Sequence, residues 1–160
     1  NAPALVQEIL DLHQLSGEEK IRLSDDLETV AIGKGIIRRQ GDKTAFIAFG
    51  SMVAPALTVA EKLNATVADM RFVKPIDEEL IVRLAQSHDY IVTAEENAEQ
   101  GGAGSAVLEV LAKHGICKPV LLLGVADTVT EHGDPKKLLD DLGLSADAME
   151  KRIRGWLPSA

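Results

Sequence analysis

The fold class is decided by the stretch Tyr90-Ile91-Val92-Thr93-Ala94-Glu95-Glu96-Asn97-Ala98-Glu99-Gln100-Gly101-Gly102-Ala103-Gly104-Ser105. Its apolar start, Tyr90 to Ala94, predicts a buried strand, and the apolar residues after Ser105 predict a helix. Between the two, acidic and amide side chains precede three glycines. Glycine lacks a Cβ atom, so it allows positive φ and lets another surface approach the backbone closely. The stretch therefore predicts a strand, a tight loop and a helix in succession.

The same alternation of strand and helix recurs along the chain. Predicted strands cover residues 66–70, 90–94 and 120–124, and they are nearly continuous apolar runs. The pattern predicts an α/β fold of three layers, with a mostly parallel sheet flanked by helices on both faces. Residues 35–40 and 43–49 flank the turn signal Gly41-Asp42, which predicts an initial β-hairpin.

Length and composition place the chain among ordinary globular domains. The 160 residues carry a net charge of −8 and one cysteine, Cys117, which we interpret as a small buried hydrophobe. Residues 28–160 form the predicted α/β domain, and residues 1–27 are interpreted as a helical arm or a non-native junction. Because the chain starts with Asn, we expect a fragment or a processed product.

The charge and hydropathy exclude two classes of partner. A net charge of −8 argues against a nucleic-acid surface, and there is no apolar run of membrane-spanning length. One basic cluster is interpreted as a solvated hairpin and not as a phosphate groove. It consists of Lys34, Arg38, Arg39 and Lys43.

Ligand sites in parallel sheets form beyond the carboxyl ends of the strands. Four loops are predicted at that edge: Gly50-Ser51, residues 71–75, residues 95–105 and residues 124–132. These loops contain few side chains that could act together in catalysis. Glu95 and Glu96 are neighbours on a strand end, so their side chains diverge, and we interpret them as a solvated or interface-facing acidic pair.

The glycine-rich loop leaves two alternatives. Its backbone N–H groups could bind an anion at the start of the helix. Three nearby glutamates would repel a phosphate, however, and the loop lacks the ending of a P-loop, so a tight turn packed against a partner is favoured. Four histidines are isolated and lack metal-ligand spacing. The residues alone therefore assign no catalytic, cofactor-binding or metal-binding position.

Several motifs resemble one family over about residues 28 to 157. They are Asp69-Met70-Arg71-Phe72-Val73-Lys74-Pro75-Ile76-Asp77, Glu95-Glu96-Asn97, Gly101-Gly102-Ala103-Gly104-Ser105, Ile32-Gly33-Lys34-Gly35, Asp141-Leu142-Gly143-Leu144 and Ile153-Arg154. This set resembles the C-terminal, transketolase C-terminal-like domain of 1-deoxy-D-xylulose-5-phosphate synthases. Transketolases and the β subunits of 2-oxoacid dehydrogenases share the architecture but not this set of motifs.

The resemblance implies a parent transferase that depends on thiamine diphosphate and Mg²⁺. Such an enzyme condenses pyruvate and glyceraldehyde 3-phosphate to 1-deoxy-D-xylulose 5-phosphate with loss of CO₂, for isoprenoid-precursor, thiamine and pyridoxal synthesis. It implies a cytoplasmic homodimer whose cofactor and substrate groups are bound by regions absent from this chain. We therefore expect a structural segment that is inactive alone. A free-standing anion-binding or regulatory α/β module is the alternative from another class.

The resemblance also implies that the third domain packs on the rest of the synthase. The candidate domain-interface set consists of Arg71, Lys74, Glu95, Glu96, Asn97, Gly101, Gly102, Gly104 and Ser105.

Overall fold

The structure, a computed structural model, describes residues 29–128 and 132–158. The helical arm or junction predicted for residues 1–27 lies outside the described residues, so the predicted division of the chain stays a prediction. The strands and helices belong to the compact unit that begins at Ala31.

The described residues of this unit alternate strands with helices, as predicted. The strands are β1 (Ile36–Arg39), β2 (Thr44–Ala48), β3 (Thr66–Asp69), β4 (Tyr90–Ala98) and β5 (Val120–Val125). The helices are α1 (Val53–Leu63), α2 (Glu78–Ser87), α3 (Ala103–Lys113), α4 (Pro135–Asp141) and α5 (Ala146–Trp156). A single 3₁₀ turn, Gly50–Met52, leads into α1. Within the described ranges, no helix combines the length and the apolar character that crossing a membrane requires.

The strands form one sheet in the order β1-β3-β2-β4-β5. β2 pairs in parallel with both β3 and β4, and β4 pairs in parallel with β5. Among the strands of the described ranges, only β1 runs antiparallel, against β3. The prediction of a mostly parallel sheet is therefore confirmed.

The predicted initial β-hairpin is wrong, because β3 lies between β1 and β2. The connection that contains the turn signal is bonded to the start of β3. Gly41 N donates to Thr66 Oγ1 at 2.9 Å, and Asp42 N donates to Asn64 O at 2.9 Å. These bonds direct the chain across the end of β3, and β1 pairs there on its far side.

The basic cluster predicted on that hairpin is engaged within the domain itself. Lys34 Nζ lies 2.9 Å from Glu79 Oε2, and Arg38 Nη2 lies 3.0 Å from Asp69 Oδ2. Arg39 Nη1 donates to Ala65 O at 2.6 Å. These cations therefore support the fold and do not form a phosphate groove.

Two apolar layers cover the two faces of the sheet. Successive residues of β2 alternate between them, so that Ile47 packs with α2 and α3 while Phe46 packs with α1 and α5. All five residues of β2 are buried, as expected for a central parallel strand. The predicted three-layer architecture is confirmed.

Candidate functional site at the carboxyl edge of the sheet

β4 extends to Ala98, four residues beyond its predicted end, and so it contains the two glutamates of the loop. Its last partner on β2 is Ala48, which pairs with Ala94. Residues 95–98 therefore project past β2 at the carboxyl edge. Glu95 is 3% exposed, whereas Glu96 and Asn97 are exposed.

The Glu95 carboxylate binds the N-terminus of α3. Its Oε2 accepts from Ala103 N at 2.7 Å, and its Oε1 accepts from Gly104 N at 2.7 Å. The first N–H groups of a helix lack partners within the helix, and the helix dipole favours negative charge there. A carboxylate from the adjacent strand thus satisfies two of these donors, and the helix is joined to the end of β4.

This arrangement bears on the two alternatives for the loop. The N–H groups that could have bound an external anion are occupied by the protein's own carboxylate. Glu95 and Glu96 diverge as predicted, since one is buried and the other exposed. The interpretation of the pair as solvated or interface-facing is wrong for Glu95, because its partners lie within the domain.

The three glycines of the loop meet two different steric demands. Gly101 has φ of 77°, which side chains rarely tolerate. A Cβ atom at Gly102 would overlap Ala98 O and the Glu95 carboxylate, and one at Gly104 would lie 2.7 Å from Thr93 Oγ1. Positive φ is therefore needed at Gly101, and close approach is needed at Gly102 and Gly104.

Ser105 closes the loop from inside α3. Its Oγ donates to Glu99 O at 3.1 Å and accepts from Gly101 N at 3.0 Å. The Glu99 carboxylate in turn accepts from Arg152 Nη2 and from Gly124 N, each at 3.3 Å. The loop is thereby attached to α5 and β5.

The Glu99–Arg152 pair and the buried hydroxyl of Thr93 are not predicted from the sequence. Fifty-three positions separate Glu99 from Arg152, so no local spacing could have indicated their contact. Thr93 is 0% exposed, and its Oγ1 has no hydrogen-bond partner among the described residues. In the sequence it is only one residue of an apolar strand.

Arg71 and Lys74, the remaining members of the candidate set, lie in the segment between β3 and α2. Arg71 has φ of 59°, and its N–H donates to Asp69 Oδ1 at 3.2 Å. Both side chains are exposed, and across residues 29–128 and 132–158 the structure gives neither of them a hydrogen bond or an ion pair. The candidate set thus divides into members that build the loop, around the buried Glu95, and exposed side chains that are free to meet a partner.

A groove separates the segment that contains Lys74 from α3. Glu78 lies at this groove and binds two side chains from the end of α3: Lys113 Nζ is 2.9 Å and His114 Nε2 is 3.2 Å from its Oε2. The hydrogen bond from Lys113, and after it the one from His114, holds the pKa of Glu78 below its ordinary value of 4.5.

Two other side chains considered in the sequence, His88 and Cys117, lie away from the loop. His88 is buried at the end of α2, where its Nε2 lies 2.7 Å from Thr66 Oγ1 and its Nδ1 lies 3.0 Å from Leu84 O. Cys117 is exposed, so its interpretation as a buried hydrophobe is wrong. Its position in the connection between α3 and β5, outside the strand, accounts for the difference.

The residues that the structure describes do not fit a thiamine diphosphate or Mg²⁺ site. Across the described ranges, no group of three or more His, Cys, Asp or Glu side chains is arranged to hold a metal ion. The N-terminus of α3, where a diphosphate could bind, is filled by Glu95.

Comparison with known proteins places this architecture in a family. Residues 33–149 match the family described as "Transketolase, C-terminal domain". The chain is 88% identical over 136 residues to the 1-deoxy-D-xylulose-5-phosphate synthase of Neisseria gonorrhoeae, covering 85% of this chain and 21% of that protein. It is 56% identical over 137 residues to the synthase of Cupriavidus taiwanensis, covering 82% of this chain and 22% of that protein. The resemblance on which the motifs were interpreted is confirmed.

Solved structures agree with this assignment. A chain described as "Split gene transketolase, inactive beta4 tetramer" matches with a TM-score of 0.75 and 37% identity, covering 83% of this chain and 45% of that one. Transketolase from Campylobacter jejuni shares the fold at a TM-score of 0.52 and 18% identity, covering 83% of this chain and 20% of that one. The chain spans about a fifth of the length of the curated synthases that it matches. On the match over residues 33–149, the chain belongs to the transketolase C-terminal domain family.

Proposed function

We propose that the chain is the C-terminal domain of a 1-deoxy-D-xylulose-5-phosphate synthase. The parent enzyme condenses pyruvate with glyceraldehyde 3-phosphate and releases CO₂, and its product supplies isoprenoid-precursor, thiamine and pyridoxal synthesis. The observation that carries the proposal is the 88% identity over 136 residues to the N. gonorrhoeae synthase. The identity to the split-gene transketolase is 37%, which favours the synthase over another enzyme of the same architecture.

In this proposal the domain contributes no reacting group. Thiamine diphosphate and Mg²⁺ are held by parts of the synthase beyond these 160 residues, and the parent enzyme is a cytoplasmic homodimer. Support comes from the carboxyl edge, where Glu95 is used to hold α3 and is not available to substrate. The segment alone is inactive.

The role of the candidate set in this proposal is to form a domain interface. The exposed members Arg71, Lys74, Glu96 and Asn97 meet the rest of the synthase. The others, with Glu95 at their centre, hold the loop in the shape that presents them.

The test is a chimera in which the 136 matched residues of this chain replace their counterparts in the N. gonorrhoeae synthase. We expect CO₂ release that requires both pyruvate and glyceraldehyde 3-phosphate, at a rate close to that of the N. gonorrhoeae enzyme. A folded chimera without turnover would overturn the proposal.

The alternative of a free-standing anion-binding module has its own test. Calorimetric titration of the 160-residue chain with inorganic phosphate and with a nucleotide should give no saturable heat, because Glu95 occupies the N-terminus of α3. Saturable heat would favour the free-standing anion-binding module if Glu95→Gln altered that heat and Glu96→Gln did not.

A further inference from the structure

The groove between the segment that follows β3 and helix α3 has a volume of about 340 Å³. Its lining combines apolar and charged side chains: Val73, Lys74, Ile76, Glu78, Ala106, Glu109, Val110 and Lys113. Val110 is 5% exposed, and Ile76 is partly buried and packs against the core. The base of the groove is therefore the outer surface of the core, and it is firmly supported.

An exposed apolar side chain, Val73, lies among the charged side chains that line the groove. Val73 is 46% exposed on an irregular segment, where a large aliphatic side chain gains nothing from the solvent. Glu78 and Lys113 pair with each other across the groove. Lys74 has neither an ion pair nor a hydrogen bond to any part of the chain that the structure describes.

We infer that this groove docks a segment of the same synthase from beyond these 160 residues, with an apolar side chain against Val73 and Val110 and a carboxylate near Lys74. The inference rests on the proposed function and extends it, because it assigns the contact to a particular groove and states the chemistry of its occupant. Most of the parent protein is available to supply that occupant, since the chain spans 21% of the length of its N. gonorrhoeae relative.

Continuity supports the assignment. The groove shares Lys74 with the candidate interface set, and Ala106 follows Ser105 directly on α3. Apolar contact at the centre with a charged rim is the ordinary composition of a protein interface. An unpaired lysine beside an apolar surface can cover that surface with its methylene groups and pair with an incoming carboxylate.

Charge argues against a second copy of this chain as the occupant. Each copy carries a net charge of −8, so two copies repel each other at low ionic strength. The groove itself offers no excess of positive charge to offset this repulsion, since two lysines and two glutamates line it.

Lysine acetylation read by mass spectrometry tests the inference, on the 160-residue chain and on the chimeric synthase under identical conditions. We expect the acetylation rate of Lys74 to fall about tenfold in the chimera. This is the change expected if the groove is occupied in about nine molecules in ten, so that the reagent reaches Lys74 in only one. Lys43, exposed at the opposite edge of the sheet, is the matched control and should react equally in both proteins. An unchanged rate at Lys74 would overturn the inference.

A pair of variants makes the test specific to the groove. Val73→Asp in the chimera should return the Lys74 rate to that of the isolated chain. The new carboxylate would be desolvated against the occupant's apolar side chain, and it would repel the occupant's carboxylate. Val73→Ile should keep Lys74 protected. Protection that survives Val73→Asp would overturn the inference, as would protection that rises with concentration in the isolated chain, which would identify a second copy. Turnover by the same chimera keeps the two proposals distinguishable. An active chimera with a reactive Lys74 refutes the docking alone, and an inactive one with a protected Lys74 refutes the proposed activity alone.

Discussion

Replacing Glu95 with alanine should destabilise the domain more than any single change among the exposed residues of the loop. The carboxylate is 3% exposed and accepts from two backbone N–H groups at 2.7 Å each. Hydrogen bonds to a charged group contribute roughly 1.5–3 kcal/mol each, and a buried donor left unpaired costs about 1–3 kcal/mol. Removing the desolvation penalty of a buried charge offsets part of this loss. We therefore expect Glu95→Ala to lower the free energy of unfolding by about 3–5 kcal/mol.

The measurement is equilibrium unfolding in urea, followed by far-ultraviolet circular dichroism and by the fluorescence of Trp156, the single tryptophan. Glu96→Ala is the control, because the neighbouring glutamate is exposed and its removal should change stability by no more than about 0.5 kcal/mol. Glu95→Gln should fall between the two, since its amide oxygen can accept one of the two N–H groups while its NH₂ group meets the other. If Glu95→Ala and Glu96→Ala unfold within about 1 kcal/mol of each other, the carboxylate does not hold α3 in solution.

Three further predictions concern a buried hydroxyl, a close-packed glycine and the ion pair of Glu78. Thr93→Val should leave the free energy of unfolding unchanged or raise it by up to about 1 kcal/mol, because a methyl group replaces a buried hydroxyl that has no partner among the described residues. Thr66→Val should lower it by about 1–3 kcal/mol in the same urea assay, because the Thr66 hydroxyl is hydrogen-bonded to Gly41 N and His88 Nε2. Gly104→Ala should lower the unfolding free energy by about 1–3 kcal/mol through overpacking against Thr93, while Gly155→Ala, with open space around it in α5, should raise it by about 0.5–1 kcal/mol; equal effects on thermal unfolding would contradict the packing at Gly104. Because the pKa of Glu78 is lowered, its ion pair stabilises the folded state above pH 4.5 and ceases to do so as the pH falls. The difference in thermal midpoint between wild type and Glu78→Gln should therefore shrink below pH 4.5. A difference that persists in acid would count against the ion pair.

The layered fold could be predicted because its signals are local. Buried parallel strands appear as continuous apolar runs, and this signal predicts β3, β4 and β5. The pairing of β1 could not be predicted from Gly41-Asp42, since a turn signal does not specify which strand the flanking residues will join. Contacts of that turn with Asn64 and Thr66 determined the result, and they connect residues more than twenty positions apart.

The site shows the same division between local and distant information. The glycines of the loop were identified correctly as a tight turn at the start of a helix. The sequence does not predict that Glu95 binds the N-terminus of α3, because Glu95 and Glu96 are the same residue type and differ only in the face of β4 on which they lie. Extending the strand by four residues determines that face, and the strand's end was the part of the pattern with the weakest apolar signal.

The proposal that the chain is an inactive domain of the synthase is tested most directly by CO₂ release from pyruvate and glyceraldehyde 3-phosphate. The isolated chain and the chimeric synthase are assayed side by side in the presence of thiamine diphosphate and Mg²⁺. We expect no release above the buffer rate from the 160-residue chain and release by the chimera close to the rate of the N. gonorrhoeae enzyme. Turnover by the isolated chain, or a folded chimera that leaves pyruvate intact, would contradict the proposal.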